Sequence, residues 1–401
     1  MVTAAARRSL LIAVATFGSA CERAEAPTFA VRDSAGVRIV ENTSPSWAEG
    51  ESWSVAAEPA LSIGALDGPP ETSFDAVRSV LRLADGVIVV ADFGSSEVRF
   101  FDGSGAFVRA FGASGEGPGE FRSMRSMGVG SDSIWIYDLQ LNRLTMIDPS
   151  SLGFRVSPVE AQRLSLGAAG TLADGSMIFA SDMTFASGPE NPPPAGMQRG
   201  NAAYVHVAAS GETIDTVVVA AGADLFIRLG TDFVEVIRPL FGRTVSHALR
   251  GDRLLFGDQE RYEIRVYELD GTLLEIQRRS GLDLAVTDAD RSAALEEMLG
   301  DVAEDRRPAI RTRYADMETP PTRPAFTTFL TDPLEYLWVQ DFVQGLTAAT
   351  WSVFAPDGVW LGEVTFPDRF QPMQILEDEV LGVWRDELDV EYVRSYALTR
   401  R

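Results

Sequence analysis

Three arginines lie around a glycine-rich segment, and their side chains could bind an anion. Arg122, Arg125 and Arg143 follow the stretch Phe111–Phe121, in which four of the eleven residues are glycine. A guanidinium group binds a carboxylate through two parallel hydrogen bonds, so this set would suit a carboxylate or a sugar acid. The alternative is that the three arginines pair with the aspartates that recur along the chain. Nucleotide binding is not expected, because no predicted helix follows the glycines.

Six aspartates recur along the chain, each at the end of a short apolar run. They are Asp92, Asp138, Asp182, Asp258, Asp341 and Asp386. One interpretation is a rim of carboxylates that attracts cations or ligates a metal. The other is that each aspartate hydrogen-bonds the backbone of its own turn, which would explain its return in every repeat. Asp92 and Asp138 join the three arginines as candidate ligand-binding residues.

The sequence contains few of the residues that other kinds of catalytic site require. The two histidines, His206 and His247, fall on an outer and an inner predicted strand that are not expected to meet, and the chain has only one cysteine and four asparagines. The sequence contains no lysine and no Gly-x-Ser-x-Gly turn, which removes Schiff-base chemistry and the serine-hydrolase elbow. A zinc site of three histidines is impossible by count. We therefore predict no catalytic residue, metal or cofactor, while catalysis by a pair of carboxylates stays open.

The charge balance excludes one class of partner. The 401 residues include 58 acidic and 35 basic side chains, which gives a net charge of −23. Binding to nucleic acid depends on basic side chains that neutralise phosphates. We therefore expect no nucleic-acid partner.

A repeat predicts the elements that would position these residues. The steps between successive recurring aspartates are 46, 44, 76, 83 and 45 residues, which indicates six units, two of them with insertions. The cleanest unit contains four short strands separated by Asp-Gly turns, which is typical of an antiparallel meander. The second strand of each unit is apolar on both faces, as expected when one sheet packs between two others. The sequence predicts an all-β fold, a six-bladed β-propeller of four-stranded antiparallel blades.

Closure of the ring requires one more strand. The last unit lacks its outer strand after residues 390–398, and an apolar segment near the N-terminus, Gly36–Glu41, has no other predicted partner. We expect this N-terminal segment to complete the sixth blade. The predicted domains are then a signal peptide over residues 1–20, a linker over 21–30 and one propeller over 31–401.

Three insertions are predicted on one face of the disk. They are the loop Met183–Gly200, the crossover Gly222–Gly242 and a helical segment at about 282–322. All three fall in loops between second and third strands or in crossovers between blades, which share one face, and long loops on a rigid scaffold are where function usually lies. In the helical segment Leu295, Met298, Leu299 and Val302 form one apolar stripe, and we expect its helices to lie over the disk as a cap. A lid over a ligand is the alternative.

The N-terminus has the pattern of an export signal. Arg7 and Arg8 precede an apolar run over Leu10–Phe17, small residues and then Cys21. The run is too short to span a bilayer. The segment resembles the lipobox of bacterial lipoproteins, although Gly18 stands where leucine is usual. This resemblance predicts lipidation of Cys21 and a cell-envelope location with a lipid anchor as the only membrane contact, and cleavage after Ala20 without lipidation stays open.

One stretch of the sequence has a recognisable family pattern. Phe111–Phe121, with the strand pair that ends at Asp138 and the following Asn142-Arg143, resembles the NHL-repeat group of six-bladed propellers and a broader set of bacterial propeller lipoproteins. The motif is specific over residues 61–148 and degenerate afterwards, and family members often have proline where Arg125 or Ser126 stands here. Relatives of this fold include calcium-dependent lactonases and zinc-dependent lyases, whose Asn, His and acidic ligands are scarce in this chain. The resemblance implies the architecture and no specific activity.

The sequence predicts a binding protein. We expect a monomeric, non-enzymatic propeller of the cell envelope that binds a protein, peptide or glycan through the face bearing the insertions. A hydrolase or lyase of the same fold, using carboxylates of the channel with or without a divalent metal, is the alternative. A pure assembly scaffold is a third possibility.

Overall fold

The computed structural model describes residues 27–48, 50–130, 132–160, 164–182, 193–230, 233–300, 302–315, 317–344 and 349–401. The signal segment and Cys21 lie outside the described residues. The N-terminal part of the described chain contains four strands, β1 (Phe29–Ser34), β2 (Val37–Asn42), β3 (Ser54–Val55) and β4 (Leu61–Ile63). A short 3₁₀ turn at Pro70–Thr72 leads into the first blade.

The first three blades follow one another along the chain. Blade 1 consists of β5 (Val77–Arg82), β6 (Ile88–Asp92), β7 (Glu97–Phe101) and β8 (Phe107–Phe111). Blade 2 consists of β9 (Met124–Val129), β10 (Ile134–Asp138), β11 (Arg143–Ile147) and β12 (Phe154–Pro158). Blade 3 consists of β13 (Gly167–Thr171), β14 (Met177–Asp182), β15 (Gly196–Val207), β16 (Thr213–Leu229) and β17 (Val234–Ile237).

Three further blades and two helices complete the chain. Blade 4 consists of β18 (Ser246–Arg250), β19 (Arg253–Gly257), β20 (Glu263–Tyr267) and β21 (Leu273–Arg279), and the helices α1 (Asp288–Gly300) and α2 (Arg307–Ala315) follow it. Blade 5 consists of β22 (Phe326–Thr331), β23 (Leu337–Asp341), β24 (Thr350–Phe354) and β25 (Trp360–Thr365). Blade 6 consists of β26 (Phe370–Ile375), β27 (Glu379–Arg385) and β28 (Glu391–Thr399).

The six sheets form a closed ring. The inner strands contact one another in the order β5, β9, β13, β18, β22, β26 and back to β5. Each of the six large hydrophobic clusters fills one interface between neighbouring blades, such as the cluster of Trp135 and Phe179 between blades 2 and 3. All five residues of β6 and of β10 are buried, because each sheet packs between two others. The predicted six-bladed propeller of antiparallel blades is confirmed.

The strand that closes the ring is not the predicted one. An N-terminal strand does complete blade 6, but this strand is β4, whose Ile63 pairs with Val393 of β28, with β3 alongside. The segment Gly36–Glu41 instead forms a hairpin with β1, in which Ala35 and Gly36 adopt positive φ as a tight hairpin turn requires. The second arm, β2, adds in parallel to β21 at the outer edge of blade 4. The prediction was wrong because this segment has a hairpin partner of its own.

The described parts of the two blade 3 insertions are mostly strand, which corrects the prediction of loops. The insertion Met183–Gly200 lies partly outside the described residues, and its last part belongs to β15. In Gly222–Gly242, the residues up to Leu229 extend β16 and Val234–Ile237 form β17. The pairing of Gly196 with Ile227 and of Asn201 with Ala221 extends this hairpin beyond the other blades, because each arm satisfies the backbone of the other.

The helical insertion lies where the sequence places it. Thr287 caps α1, since its hydroxyl accepts a hydrogen bond from the Asp290 N–H at 3.2 Å while the Asp290 carboxylate accepts one from the Thr287 N–H at 2.8 Å. Leu299, in the predicted apolar stripe, is buried. None of the helices in the described part of the chain is long and apolar enough to cross a membrane.

Candidate functional site

One face of the disk carries the features that distinguish this propeller. The second strand of each blade ends on this face and the inner strand of each blade begins on it. The extended β15–β16 hairpin, β17, α1 and α2 rise from the same side, and we call it the insertion face. The inner strands surround the axis of the ring, and the place where their first residues meet this face is the channel mouth.

The recurring aspartates lie at the ends of second strands on the insertion face. Groups of the adjacent turns hydrogen-bond to most of their carboxylate oxygen atoms. Asp138 accepts four backbone hydrogen bonds, from Arg122 and Ser123 at 2.7 and 3.0 Å and from Gln140 and Leu141 at 3.0 and 2.9 Å. These bonds join two successive loops of blade 2 to one buried carboxylate. The second interpretation of the repeat, that the aspartate holds its own turn, therefore describes Asp138.

Asp92 and Asp386 have the same role in their own blades. Asp92 is buried and accepts hydrogen bonds from the Asp75 N–H at 3.1 Å and the Ser95 hydroxyl at 3.0 Å. Burial raises the pKa of the Asp92 carboxyl above its ordinary value, although those hydrogen bonds and Arg99 act in the opposite direction. Asp386 accepts from the N–H groups of Leu388 and Val390 at 2.8 and 3.0 Å. The side chain of Asp182 lies outside the described residues.

Asp341 stands apart because side chains rather than its turn surround it. Its Oδ1 accepts a hydrogen bond from the Tyr262 hydroxyl at 2.7 Å, and its Oδ2 lies 3.0 Å from Arg279 Nη1. Arg279 also stacks on the Trp360 ring, 3.9 Å from its centroid. Burial raises the pKa of Asp341 against the effect of Arg279. This group joins blades 4 and 5 and is a structural ion-pair network.

Two of the three predicted arginines hold the glycine-rich crossover in place. Arg143 donates to the backbone carbonyls of Glu116, Gly117 and Glu120 at 2.9, 2.7 and 2.7 Å. Arg122 pairs with Glu116 at 3.1 Å. The guanidinium groups therefore fix the loop that the sequence singled out. Neither pairs with a blade aspartate; Arg99, which we did not single out, makes that pair with Asp92 at 3.3 Å.

Arg125 is placed differently, at the channel mouth. It is a bulge residue of β9, since Met124 pairs with Asp138 and Ser126 with Tyr137. Its guanidinium reaches the start of β13, where Nε would lie 4.0 Å from a Cβ atom on Gly167. Among the described residues, Arg125 makes no hydrogen bond or ion pair.

Two more arginines share this environment and were missed from the sequence. Arg78 is the bulge residue of β5, the neighbouring inner strand, because Val77 pairs with Asp92 and Ser79 with Ala91. Arg238 follows β17. Neither has a hydrogen bond or ion pair from its side chain within the part of the chain that the structure describes, and Arg78 lies over the Phe93 ring, 5.1 Å from its centroid. A repeated bulge is the signal that could have found Arg78 beside Arg125.

Arg78 and Arg238 act electrostatically on Arg125. Partial burial in the mouth lowers the pKa of Arg125, and the positive charges of Arg78 and Arg238 lower it further. Burial, with a contribution from Arg125, lowers the pKa of His247 to about 4. His247 keeps one hydrogen bond, between Nδ1 and the buried Tyr204 hydroxyl at 3.2 Å. The mouth therefore concentrates positive charge in a protein that is strongly acidic as a whole.

The two histidines lie apart. His206 lies 2.7 Å from the Ser176 hydroxyl, beside the turn between the first two strands of blade 3, whereas His247 lies on the inner strand of blade 4. Within the described ranges, no three His, Cys, Asp or Glu side chains converge in a way that could hold a metal ion. The cluster that the structure assembles is therefore made of arginines.

The fold places this chain among the six-bladed β-propellers. The model of a family described as a 6-bladed beta-propeller, DUF5128, matches residues 71–155. No curated protein sequence matches the chain.

Solved structures support the fold over nearly the whole chain. A candidate exported protein from Bacteroides fragilis is similar with a TM-score of 0.50 at 12% identity, over 90% of this chain and 99% of that one. A DUF4221 family member from Bacteroides vulgatus is similar with a TM-score of 0.52 at 10% identity, over 88% and 99%. The virginiamycin B lyase of Staphylococcus aureus gives only 0.42 at 8% identity, over 87% and 99%. The two Bacteroides structures support the fold, and at these identities they leave the activity undefined.

Proposed function

We propose that this protein is an exported, non-enzymatic β-propeller that binds a protein, peptide or glycan on its insertion face, as a monomer. One observation carries the proposal. The added elements, which are the extended β15–β16 hairpin, β17, α1 and α2, lie beside the channel mouth on one side of the disk, and we call them the wall. Within the blades, the described connections on the opposite face are short turns, so the insertions of blades 3 and 4 extend one side of the disk.

The wall is held together by specific contacts between the insertions. The Arg228 guanidinium donates to the carbonyl of Arg313 in α2 at 3.0 Å, and Glu235 of β17 pairs with both arginines. The Tyr314 hydroxyl donates to the carbonyl of Arg238 at 3.1 Å. Helix α2 is thus docked on the extended hairpin of blade 3, with a cavity of about 500 Å³ between them.

The wall also reaches the neighbouring blade 5. Gln344, in the blade 5 loop, donates to the carbonyl of Asp290 in α1 at 3.3 Å. Phe241 and Phe342 bring the crossover after blade 3 against the same loop, with ring centroids 6.1 Å apart. The insertions of blades 3 and 4 therefore form one surface that extends to blade 5, which is the arrangement that a recognition surface requires.

Export and lipid anchoring belong to this proposal and rest on the sequence. The charged start, the apolar run and Cys21 form the signal pattern. Mass spectrometry of the protein from the membrane fraction would find diacylglycerol on Cys21. An unmodified N-terminus at that residue would leave export and remove the anchor.

The binding proposal is tested with a shortened variant. Ala285 and Thr322 form an antiparallel bridge, so replacing residues 286–321 with Asn-Gly would remove both helices and leave a hairpin turn. We expect the mature chain to bind members of a bacterial glycan and peptide array, and the shortened variant to lose that binding while keeping its cooperative melting transition.

A matched control changes the opposite face. Arg253 and Glu335 line a cavity on that side. The substitutions Arg253→Gln and Glu335→Gln should leave array binding unchanged. Equal binding by the shortened variant and the complete chain would contradict the proposal. Turnover of lactones, esters or unsaturated-sugar substrates, abolished by mutation of a channel carboxylate, would favour the enzyme alternative.

A further inference from the structure

We infer that the channel mouth is an oxyanion-binding site formed by Arg78, Arg125 and Arg238, and that it takes the anionic group of a small acid. This inference rests on the proposed function, because the site lies at the centre of the insertion face. It adds the chemical class of the ligand group that is recognised there.

The positions of the arginines are built into the ring. Arg78 and Arg125 occupy the same bulge of two adjacent inner strands, one residue after the strand begins. A bulge turns one extra side chain out of the ladder without breaking the blade, and such bulges recur at sites where a side chain must be aimed. Arg238 directly follows the inserted strand β17, and the Tyr314 hydroxyl of α2 holds its carbonyl. Arg78 and Arg125 thus lie side by side at the mouth, and the charge of Arg238 acts on Arg125 from the adjacent wall.

No internal counter-charge balances this cluster in the described residues. The three arginines are exposed and, within the described ranges, unpaired, whereas other arginines of the molecule have acidic partners: Arg243 pairs with Asp224 at 2.6 Å, and Arg279 with Asp341 and Glu363 at 3.0 and 2.6 Å. The chain contains 58 acidic residues, which is enough to pair with every arginine. Like charges held together disfavour their own ionised forms, and a bound anion reverses this effect.

A glycine in place of a larger residue keeps a side chain away from Arg125. Gly167 begins β13 at a φ of +88°, and a Cβ there would lie 3.1 Å from Ser126 Oγ as well as near the arginine. The missing side chain leaves the guanidinium open on the side of blade 3. A planar guanidinium donates two parallel hydrogen bonds, which suits a carboxylate, a sulfate or a phosphate.

The net charge limits the size of the ligand. A long polyanion would meet the field of a protein with a charge of −23, whereas one anionic group can enter a local positive mouth. The shared chemistry is therefore a single oxyanion on a small molecule. Carboxylate and inorganic oxyanions are distinguished by the arms of the test.

The test titrates the complete mature chain with sodium glucuronate, sodium acetate, inorganic phosphate and sulfate, and follows heat of binding and melting temperature. We expect at least one of these anions to bind in the millimolar range or tighter and to raise the melting temperature. Arg125→Gln should weaken that binding by about tenfold, and the Arg78→Gln/Arg125→Gln double variant should abolish it. Arg155→Gln, which removes the same charge from the exposed outer strand of blade 2, should leave it within about twofold.

The outcomes separate this inference from the proposed function. Failure of all four anions to bind, or an equal loss in Arg155→Gln, would overturn the oxyanion site. Binding of an array ligand that is insensitive to Arg78→Gln/Arg125→Gln would also overturn it and would keep the proposed function. Anion binding by a chain that recognises no array ligand would keep the site and remove the proposed function. The double variant is expected to fold, since removal of repelling charges does not destabilise the ring.

Discussion

The side-chain amide of Asn42 accepts a hydrogen bond from the backbone N–H of Trp360 at 2.9 Å, although the two residues are 318 positions apart. Its Nδ2 donates to the carbonyls of Arg278 at 3.0 Å and Gly358 at 3.1 Å. Asn42 is fully buried. One amide thus joins the end of the N-terminal hairpin to blades 4 and 5.

Asn42→Ala should lower the free energy of unfolding by about 2–4 kcal/mol, because three buried backbone groups lose their partner. Chemical denaturation would measure the change. Thr43→Ala is the matched control: its exposed hydroxyl bonds only to nearby carbonyls, and its loss should cost less than about 0.5 kcal/mol. Equal effects of the two substitutions would mean that the hairpin is not anchored through Asn42.

Ile63→Ala should destabilise the protein by about 2–5 kcal/mol. Ile63 lies on the closing strand β4, is only 3% exposed and packs between blades 6 and 1. Val31→Ala, on the outer hairpin strand where the side chain is 48% exposed, should change stability by less than about 0.5 kcal/mol. If Val31→Ala proved the more damaging of the two, the hairpin rather than β4 would hold the ring closed.

Arg279→Lys should cost about 1–3 kcal/mol, because an ammonium group cannot stack on Trp360 and bind Asp341 and Glu363 at the same time. Arg279→Met should cost more, about 3–5 kcal/mol, since it leaves a buried carboxylate without its partner. Arg291→Lys, in an exposed pair with Asp288, serves as the control and should be nearly neutral. Thermal and denaturant unfolding would rank the three variants.

Stability should fall as the pH decreases from about 6.5 to about 4, in part through His247. Its pKa is about 4 in the folded protein, against an ordinary 6.5, so between these values the unfolded chain binds a proton that the folded chain does not. The neutral ring therefore contributes stability at higher pH, at most about 3 kcal/mol, that is lost through this window.

The measurement compares the free energy of unfolding of the wild type and of His247→Gln across pH 4–7. Asp92 and Asp341, whose pKa values are raised, titrate in both proteins, so the difference between the two proteins reports His247. The variant should show the shallower dependence. NMR titration resolves the two histidine rings, and Arg125→Gln should raise the pKa of His247. A His247 ring that titrates at 6.5 in the folded protein would contradict the prediction.

The repeat predicted the ring because the aspartates that end second strands recur with the blade. Their structural role could be inferred from the residue type and its place at the strand end, because an aspartate such as Asp138 hydrogen-bonds to the backbone of its own turn. Ring closure could not be inferred in the same way: β4 has only three residues, and its pairing with β28 is decided by packing of Ile63 across the whole chain.

The candidate site was predicted in part. Arg125 was selected with Arg122 and Arg143 because all three lie near the glycines, yet of these three only Arg125 has no partner among the residues that the structure describes. The spacing of arginines in the sequence does not show which guanidinium group hydrogen-bonds to a backbone carbonyl. Arg238 could not be linked to Arg125, because an inserted strand brings it to the mouth from another blade.

The pairing of β4 with β28 also fixes when the protein can fold. Val393 and Ile63 are separated by 330 positions, so a growing chain holds its first closing strand unpaired until the last strand has been synthesised. The first blade likewise waits for a partner, since the backbone N–H of Val77 donates to Glu391 at 2.7 Å. Contacts so distant in sequence slow folding. Completion of the native ring therefore has to wait for β28, and a chain cut before Glu391 would lack the strand that pairs with β4.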